Sequence, residues 1–324
     1  MKKNQTYILK SMTKVTIVGA GNVGSTCANI LTISDSAAEI VLIDIKPGYA
    51  EGKALDIMQS QPTRCFGCRL IGVTNDYSQT ANSDVVVITS GLPRKPGMSR
   101  EDLIGVNAGI VKDVVESVLR YSPHAFLIII SNPMDTMTYL TNKIAHISKN
   151  RIIGFGGVLD SSRFIYYLSQ ALNTNASNVD GMVIGGHGDT TMIPLKRLAH
   201  CKGIPVSELL PAEKLDQIVA DTMVGGATLT KLLGTSAWMA PGSAAAYMVK
   251  AILHNEQRII PCSVYLDGEY GQKDICLGVP VKIGRNGWEK IVDLKLNNEE
   301  QTLFNKSADA VRSMNNVLHD MKII

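Results

Sequence analysis

The sequence predicts an α/β protein: a doubly wound parallel sheet followed by a mixed α+β region. Three observations carry that expectation. Four short apolar runs in the first half are rich in β-branched residues with little polar alternation, which is how strands buried on both faces of a parallel sheet read. Amphipathic stretches of helical period separate them. A glycine-rich turn, GAGNVG (Gly19–Gly24), joins the first run directly to the first helical stretch.

The runs are KVTIVGA (Lys14–Ala20), EIVLIDI (Glu39–Ile45), DVVVITS (Asp84–Ser90) and AFLIIIS (Ala125–Ser131). The helical stretches between and after them are Asn22–Ser34, Tyr49–Gln59, Ser99–Arg120 and Met134–Ile147. Beyond Gly154 the pattern changes. A helix is expected over Leu159–Leu172, short strands around Val179–Ile184 and Thr191–Leu195, and helices near Leu209–Leu232 and Gly242–His254. Ile259–Leu266 and Ile275–Ile283 read as two strands of a hairpin, and a last helix runs from Asn298 to Met321. The expected division is an extension over residues 1–12, a nucleotide-binding domain over 13–153 and an α+β catalytic domain over 154–324.

Composition narrows the function. The 324 residues are 45% hydrophobic and 19% charged, ordinary for a globular protein, with a formal charge of only +3. No lysine/arginine block interleaves with aromatics, so nucleic acid is not an expected partner. No apolar run approaches the roughly 18 residues of a membrane span, and the start, MKKNQTYILKSM, lacks the apolar core of a signal peptide. The expected compartment is the cytoplasm. Six scattered cysteines do not read as a disulfide scaffold. CFGC (Cys65–Cys68) has CxxC spacing but precedes a strand and has no second pair at zinc-ribbon distance. It reads as two reduced thiols near a loop, and no metal site is expected.

The glycine-rich turn is a sharper signal, because its context matches a mechanism. Gly19 permits the turn, Gly21 lets the backbone approach a pyrophosphate, and Gly24 lets helix pack on strand, as in a Rossmann-type sheet. The helix that follows offers free N–H groups and a positive dipole end to the phosphates. Asp44 closes the second strand, 20 residues after Gly24. A carboxylate there bonds ribose hydroxyls and repels a 2′-phosphate, which favours NAD over NADP, although Lys46 lies close by.

Four further signals sit at strand ends and joins. SNP (Ser131–Pro133) ends the fourth strand, where an open α/β sheet faces its ligand crevice; a plain turn is the alternative for Asn132. LDSSR (Leu159–Arg163) puts Asp160 and Arg163 on one helix face, where a simple surface ion pair is the commoner outcome. GGHGD (Gly185–Asp189) flanks His187 with glycines, which reads as opening access to the ring. GLPRKPGMSR (Gly91–Arg100) gathers Arg94, Lys95 and Arg100 into ten residues, either as a solvated loop or as a cationic lid. Together the parts suit hydride transfer from a 2-hydroxy acid. Such a reaction needs a proton acceptor near neutrality, a partner that fixes its tautomer, and an arginine to grip a carboxylate in two places.

From about Thr13 to the C-terminus, the ordered set GAGNVG, acidic strand end, arginine loop, SNP, LDSSR, GGHGD and APGSA (Ala240–Ala244) resembles the lactate/malate dehydrogenase family, most closely its bacterial lactate-dehydrogenase-like malate dehydrogenases. That resemblance implies an NAD-dependent oxidoreductase of the tricarboxylic acid cycle interconverting malate and oxaloacetate, and a homodimer or homotetramer. By resemblance, His187 is the proton acceptor, Asp160 its partner, and Arg163 the ligand of the substrate's C1 carboxylate. Asn132 contacts substrate and nicotinamide, and APGSA lies near the substrate end. The arginine loop becomes a lid in which Arg100 polarises the carbonyl and Arg94 selects a second carboxylate. Pro93 and Pro96 stiffen its base, Gly91 and Gly97 allow the hinge, and Lys95 has no assigned role. Cofactor contacts are implied for Gly19, Gly21, Asn22, Val23, Gly24, Asp44, Thr89, Gly91, Asn107, Ser131 and Asn132.

Three other readings stay open at this level. Another 2-hydroxy-acid dehydrogenase would have little use for Arg94. An NAD-dependent glycosidase would need a Cys/His metal site, for which no convincing spacing exists. A dinucleotide sensor without turnover would leave His187, Asp160 and the arginines idle.

Overall fold

The computed structural model describes residues 13–93 and 99–324, with only the backbone of Arg100. Six parallel strands form the first half: β1 (Lys14–Val18), β2 (Glu39–Asp44), β3 (Arg69–Thr74), β4 (Val85–Ile88), β5 (Phe126–Ile129) and β6 (Ile152–Gly154). Their spatial order is β3-β2-β1-β4-β5-β6. The chain winds one way from β1 to β3, then crosses to the other side of β1 with β4. Ligand crevices open where strand order reverses in this manner.

The helices between these strands are α1 (Asn22–Ile33), α2 (Tyr49–Gln59), α3 (Arg100–Tyr121) and α4 (Met134–Ile144). Strand residues divide between the two faces with a period of two. Val15 and Ile17 of β1 and Val85 and Val87 of β4 join the core that also holds Ala28 and Leu31 of α1. Val18, Val86 and Ile88 point the other way, to Ile104 and Val111 of α3 and Met137 of α4. Both sheet faces are therefore covered by helices, which is why these runs carry no polar alternation.

The second half is not a separate sheet. It contains α5 (Gly156–Ala171), β7 (Val179–Asp180), β8 (Val183–Gly185), β9 (Met192–Pro194), β10 (His200–Cys201) and β11 (Ile204–Pro205). Then come α6 (Ala212–Met223), α7 (Gly225–Leu233), α8 (Met239–Leu253), β12 (Arg258–Asp267), β13 (Lys273–Gly284), β14 (Gly287–Ile291) and α9 (Asn298–Asp320). Strand β12 pairs antiparallel with β6 at Ser263 and Gly154, and the sheet continues through β13, β8 and β9. One 11-stranded sheet thus runs through the molecule, with β7, β10 and β11 forming a small separate one.

Several expectations need correction. The helix expected over Leu209–Leu232 is two, α6 and α7, broken at Val224. Two glycines begin the second, and α7 turns onto the guanidinium of Arg163: a Cβ at Gly225 would lie 3.3 Å from Arg163 Cδ. The helix expected to run to Ile147 stops at Ile144. Strands β6, β10, β11 and β14 were not among the expected elements, and β3 was expected only as an unbounded strand after CFGC. Residues 1–12, and Arg94, Lys95, Pro96 and Gly97 of the lid, lie outside the described residues.

Candidate active site

The ends of β1, β4 and β5 meet at the crevice. Gly19 leaves β1 with φ +103°, and its N–H donates to Ile43 O at 2.8 Å. Thr89, just after β4, donates its hydroxyl to Val18 O and Gly19 O, both at 3.0 Å, and so clamps the turn from the neighbouring strand. A Cβ at Gly24 would fall 1.9 Å from Gly19 O, so only glycine lets α1 sit this close to β1. A Cβ at Gly21 would meet nothing within 4 Å, and Gly21 and Asn22 are exposed. No side chain caps α1, in contrast to the capping boxes Ser99/Asp102 on α3 and Asn297/Glu300 on α9. The turn around Gly21, Asn22 and Val23 therefore presents open backbone and a positive helix end.

Asp44 stands beside that turn. Its Oδ2 accepts from Ala20 N–H at 2.8 Å and its Oδ1 from Lys46 N–H at 3.0 Å. Two backbone donors hold the carboxylate at the rim of the glycine loop, where a ribose would have to pass. The open turn, the uncapped helix and this carboxylate fit a dinucleotide.

Asn107 joins the other side of the crevice. Almost fully buried on α3, it accepts from Leu92 N–H at 2.8 Å and donates to Leu92 O at 3.1 Å and Asn132 O at 2.7 Å. Its amide staples the base of the arginine loop, next to Gly91, to the end of β5. Ser131 donates to Ser90 O at 2.5 Å, while Asn132 is exposed at the crevice. The backbone of Arg100 begins α3 directly after the Ser99 cap. Arg94 and the side chain of Arg100 lie outside the described residues.

At the far side α5 brings Asp160 and Arg163 to His187. Asp160 Oδ2 lies 2.7 Å from His187 Nδ1, and Asp160 Oδ1 lies 3.3 Å from Arg163 Nη1. All three are largely buried, with side-chain exposures of 2% for Asp160, 13% for Arg163 and 15% for His187. Burial alone lowers the pKa of His187. The charge of Asp160, its hydrogen bond and the charge of Asp135 outweigh burial and the repulsion of Arg163, leaving the pKa raised. Arg163 Nε is buried and makes no hydrogen bond among the described residues. A bound carboxylate would supply that missing acceptor. Phe155 sets its ring edge against the imidazole, with centroids 6.1 Å apart.

One of the two glycines flanking His187 also has a packing role. A Cβ at Gly186 would lie 2.8 Å from Val311 Cγ2 and 2.9 Å from Thr191 Oγ1. Gly186 lets the loop pack tightly against α9, where its N–H donates to Ser307 Oγ at 2.8 Å, whereas a Cβ at Gly188 would meet only Thr191 Oγ1, at 3.0 Å. APGSA lies in the first turn and a half of α8. There Gly242 packs on Thr26 of α1, at 2.6 Å from a hypothetical Cβ.

Sequence reasoning passed over Asp135, Ser263 and the Gly225–Gly226 pair. Asp135 follows SNP closely, but an acid in the first turn of a helix ordinarily reflects the dipole alone. Nothing in the order of residues links Ser263 to it across the sheet. The glycine pair had a signal, since two adjacent glycines inside an expected helix call for a reason.

A nucleotide turn at the switch point, facing a buried His–Asp pair with an arginine beside it, defines an NAD-linked dehydrogenase. Residues 13–154 match the family model for the lactate/malate dehydrogenase NAD binding domain, and residues 157–320 that for its alpha/beta C-terminal domain. The chain belongs to the lactate/malate dehydrogenase family, and its cofactor is NAD. It is 65% identical to a malate dehydrogenase of Parabacteroides distasonis over 310 residues, covering 96% of this chain and 99% of that one. Among solved structures, a malate dehydrogenase of Salinibacter ruber matches with TM-score 0.91 and 42% identity, over 95% of this chain and 98% of that one. A lactate dehydrogenase of Cryptosporidium parvum, solved with lactic acid and nicotinamide adenine dinucleotide, also matches with TM-score 0.91, at 38% identity over 95% and 98% of the two chains. The backbone therefore does not separate the two substrates; side chains must.

Proposed function

We propose that this chain is a malate dehydrogenase, catalysing the reversible NAD-dependent oxidation of (S)-malate to oxaloacetate with His187 as general base and acid. The carrying observation is the position of Asp160 between His187 and Arg163. Asp160 occupies Nδ1, which leaves Nε2 as the atom that exchanges the proton. In oxidation the substrate C2 hydroxyl gives its proton to Nε2 as the C2 hydride leaves. The imidazolium so formed is stabilised by the buried carboxylate on its other side. In reduction His187 returns the proton to the carbonyl oxygen. NAD, when bound, supplies the hydride acceptor. Arg163 fixes the C1 carboxylate, and its alignment by Asp160 and the wall of Gly225 limits where the reacting carbon sits. Asn132 at the crevice and Arg100 at the head of α3 complete the assignment, Arg100 polarising the C2 oxygen.

The choice of malate over lactate rests on Arg94 and on the relatives. A second carboxylate needs a second cation, and Arg94 supplies one in the loop whose base Asn107 staples. The test is the rate of NADH oxidation with oxaloacetate and with pyruvate. Losing a charge-assisted contact costs ~2–5 kcal/mol, or roughly 30- to several-thousand-fold. Oxaloacetate should be preferred in kcat/KM by about that factor, and equal or better use of pyruvate would overturn the assignment.

The same reading includes a functional division near residues 153 and 154, a homodimer or homotetramer, and a place in the tricarboxylic acid cycle in the cytoplasm. Assembly is supported by apolar side chains that are exposed on α2, α5, α8 and β12, namely Leu55, Tyr166, Met239 and Ile259. Ile259 also lines a cavity of about 820 Å³ together with Val158 and Ile165 of α5, Ala244 of α8 and Pro261 of β12. Among the described residues no helix is long and apolar enough to cross a membrane.

A further inference from the structure

Asp135 is a buried carboxylate with no part in the chemistry described so far. It lies in the first turn of α4, 3% exposed. Its Oδ2 accepts from the backbone N–H of His187 at 2.7 Å, and its Oδ1 from the hydroxyl of Ser263 at 2.7 Å. One side chain thus ties α4, which follows the nucleotide crevice, to the histidine loop and to β12 at the seam of the sheet. An isolated carboxylate in such a place is costly and ordinarily gives way to a neutral residue. Structure alone would be served by an asparagine, which can accept from the same N–H.

We propose that Asp135 is a positioning residue for the proton step, a second buried carboxylate that fixes the backbone of His187 and whose negative charge favours the protonated ring. The inference rests on the reading of His187 as acid and base. Two donors, one on each oxygen, favour the ionised carboxylate. The pKa of Asp135 is raised, by burial first and by the charge of Asp160 besides; Ser263, the His187 N–H and the imidazole oppose that rise without cancelling it. The charged groups around the ring, among the described residues, are Asp160 and Arg163 from α5 and Asp135 from α4. Asp189 lies two residues along the histidine's own loop, and the thiol of Cys276 on β13 is near enough to feel Asp135. Asp160 touches the ring directly, and Arg163 opposes it. Asp135 therefore supplies the second negative charge, from behind the backbone rather than through the ring.

The test separates charge from scaffold. Asp135→Asn keeps an acceptor for His187 N–H, and the Ser263 hydroxyl can turn from donor to acceptor. Asp135→Ser removes the same charge in a smaller side chain, should the amide not be accommodated. The measurement is kcat/KM for oxaloacetate against pH at saturating NADH, with the NADH dissociation constant taken from cofactor fluorescence. The descending limb, where His187 loses its proton, should move to lower pH by about one unit in both variants, the size expected for removing one nearby charge. NADH affinity should not change. A limb that stays in place with altered kcat or stability would overturn the proposal and leave Asp135 a structural tie. His187→Gln is the control: if it keeps the wild-type limb and turnover, His187 is not the acid, and the proposal falls with that reading rather than on Asp135.

Discussion

His187 Nδ1 and Asp160 Oδ2 lie 2.7 Å apart, and the other oxygen of Asp160 is 3.3 Å from Arg163 Nη1. One nearly buried carboxylate therefore serves two functional groups. It sets the histidine's tautomer and counters its positive charge, and it aligns the arginine that would hold substrate. Because Asp160 is shared, the proposed mechanism expects a change there to affect both the proton and the substrate's orientation.

The first prediction concerns pH. The folded pKa of His187 is raised above its ordinary value, chiefly because Asp160 and Asp135 outweigh burial. The stability this group contributes is fully present below its unfolded pKa and is lost as pH rises through the folded pKa. Reduction of oxaloacetate needs the protonated ring, so its kcat/KM should fall as pH rises through that raised value. Asp160→Asn should move the fall to lower pH and reduce the rate above it by roughly tenfold for each unit of displacement. A pH–rate profile of the two enzymes checks this, and an unmoved profile would count against the pairing.

How much of this was legible in the sequence depends on how many neighbours a residue needs for its meaning. Strands β1, β2, β4 and β5 announce themselves because burial on both faces leaves their interior positions almost all apolar. Strand β3 does not: only Leu70 of its six residues is buried, and Gly72 interrupts the run. Strand β6, only three residues long, is too short for any periodicity. Within the site, Asp160 and Arg163 share a helix face and could be paired by spacing. Asp135 and Ser263 meet only because β12 docks on β6, a long-range event that no local pattern encodes. The glycine before His187 was visible, but its close packing on Val311 needed the last helix in place.

A second prediction separates two glycines of one motif. Gly24→Ala puts a methyl 1.9 Å from a backbone carbonyl that cannot easily move. It should destabilise the fold by about 1–3 kcal/mol or more and weaken NADH binding as a consequence. Gly21→Ala meets nothing within 4 Å. It should leave thermal stability near wild type yet weaken NADH binding, because the methyl occupies the approach to the helix end. Thermal melts paired with NADH titrations distinguish them, and equal loss of stability in both would refute the assignment of roles.

The third prediction is cofactor preference. Asp44, held by two backbone donors at the glycine turn, is the proposed ribose contact. The wild-type enzyme should strongly prefer NADH to NADPH. Asp44→Ser should lose NADH affinity by roughly 5- to 150-fold, the equivalent of ~1–3 kcal/mol for polar groups left unpaired, and narrow the preference. Comparable kcat/KM for NADH and NADPH in the unmodified protein would show that Asp44 does not exclude a 2′-phosphate.

The last prediction divides substrate binding between two arginines. Arg163 is held by Asp160, walled by Gly225, and has a buried Nε without a partner among the described residues. Its proposed ligand, the C1 carboxylate, is common to oxaloacetate and pyruvate. Lysine there offers a point charge in place of the planar fork and cannot reproduce two parallel hydrogen bonds. Arg163→Lys should therefore cut kcat/KM for both acids by a similar factor, on the order of 30-fold or more if a buried charge-assisted contact of ~2–5 kcal/mol is lost. Arg94 should behave differently, because only oxaloacetate has a second carboxylate. Arg94→Gln should lower kcat/KM for oxaloacetate by a comparable factor while leaving or raising that for pyruvate. The gain on pyruvate should be small, since the pocket keeps the size of the larger acid. Measuring both acids with both variants gives a two-by-two comparison. A selective loss of oxaloacetate in Arg163→Lys, or an unchanged oxaloacetate-to-pyruvate ratio in Arg94→Gln, would show that the two carboxylates are bound by other groups.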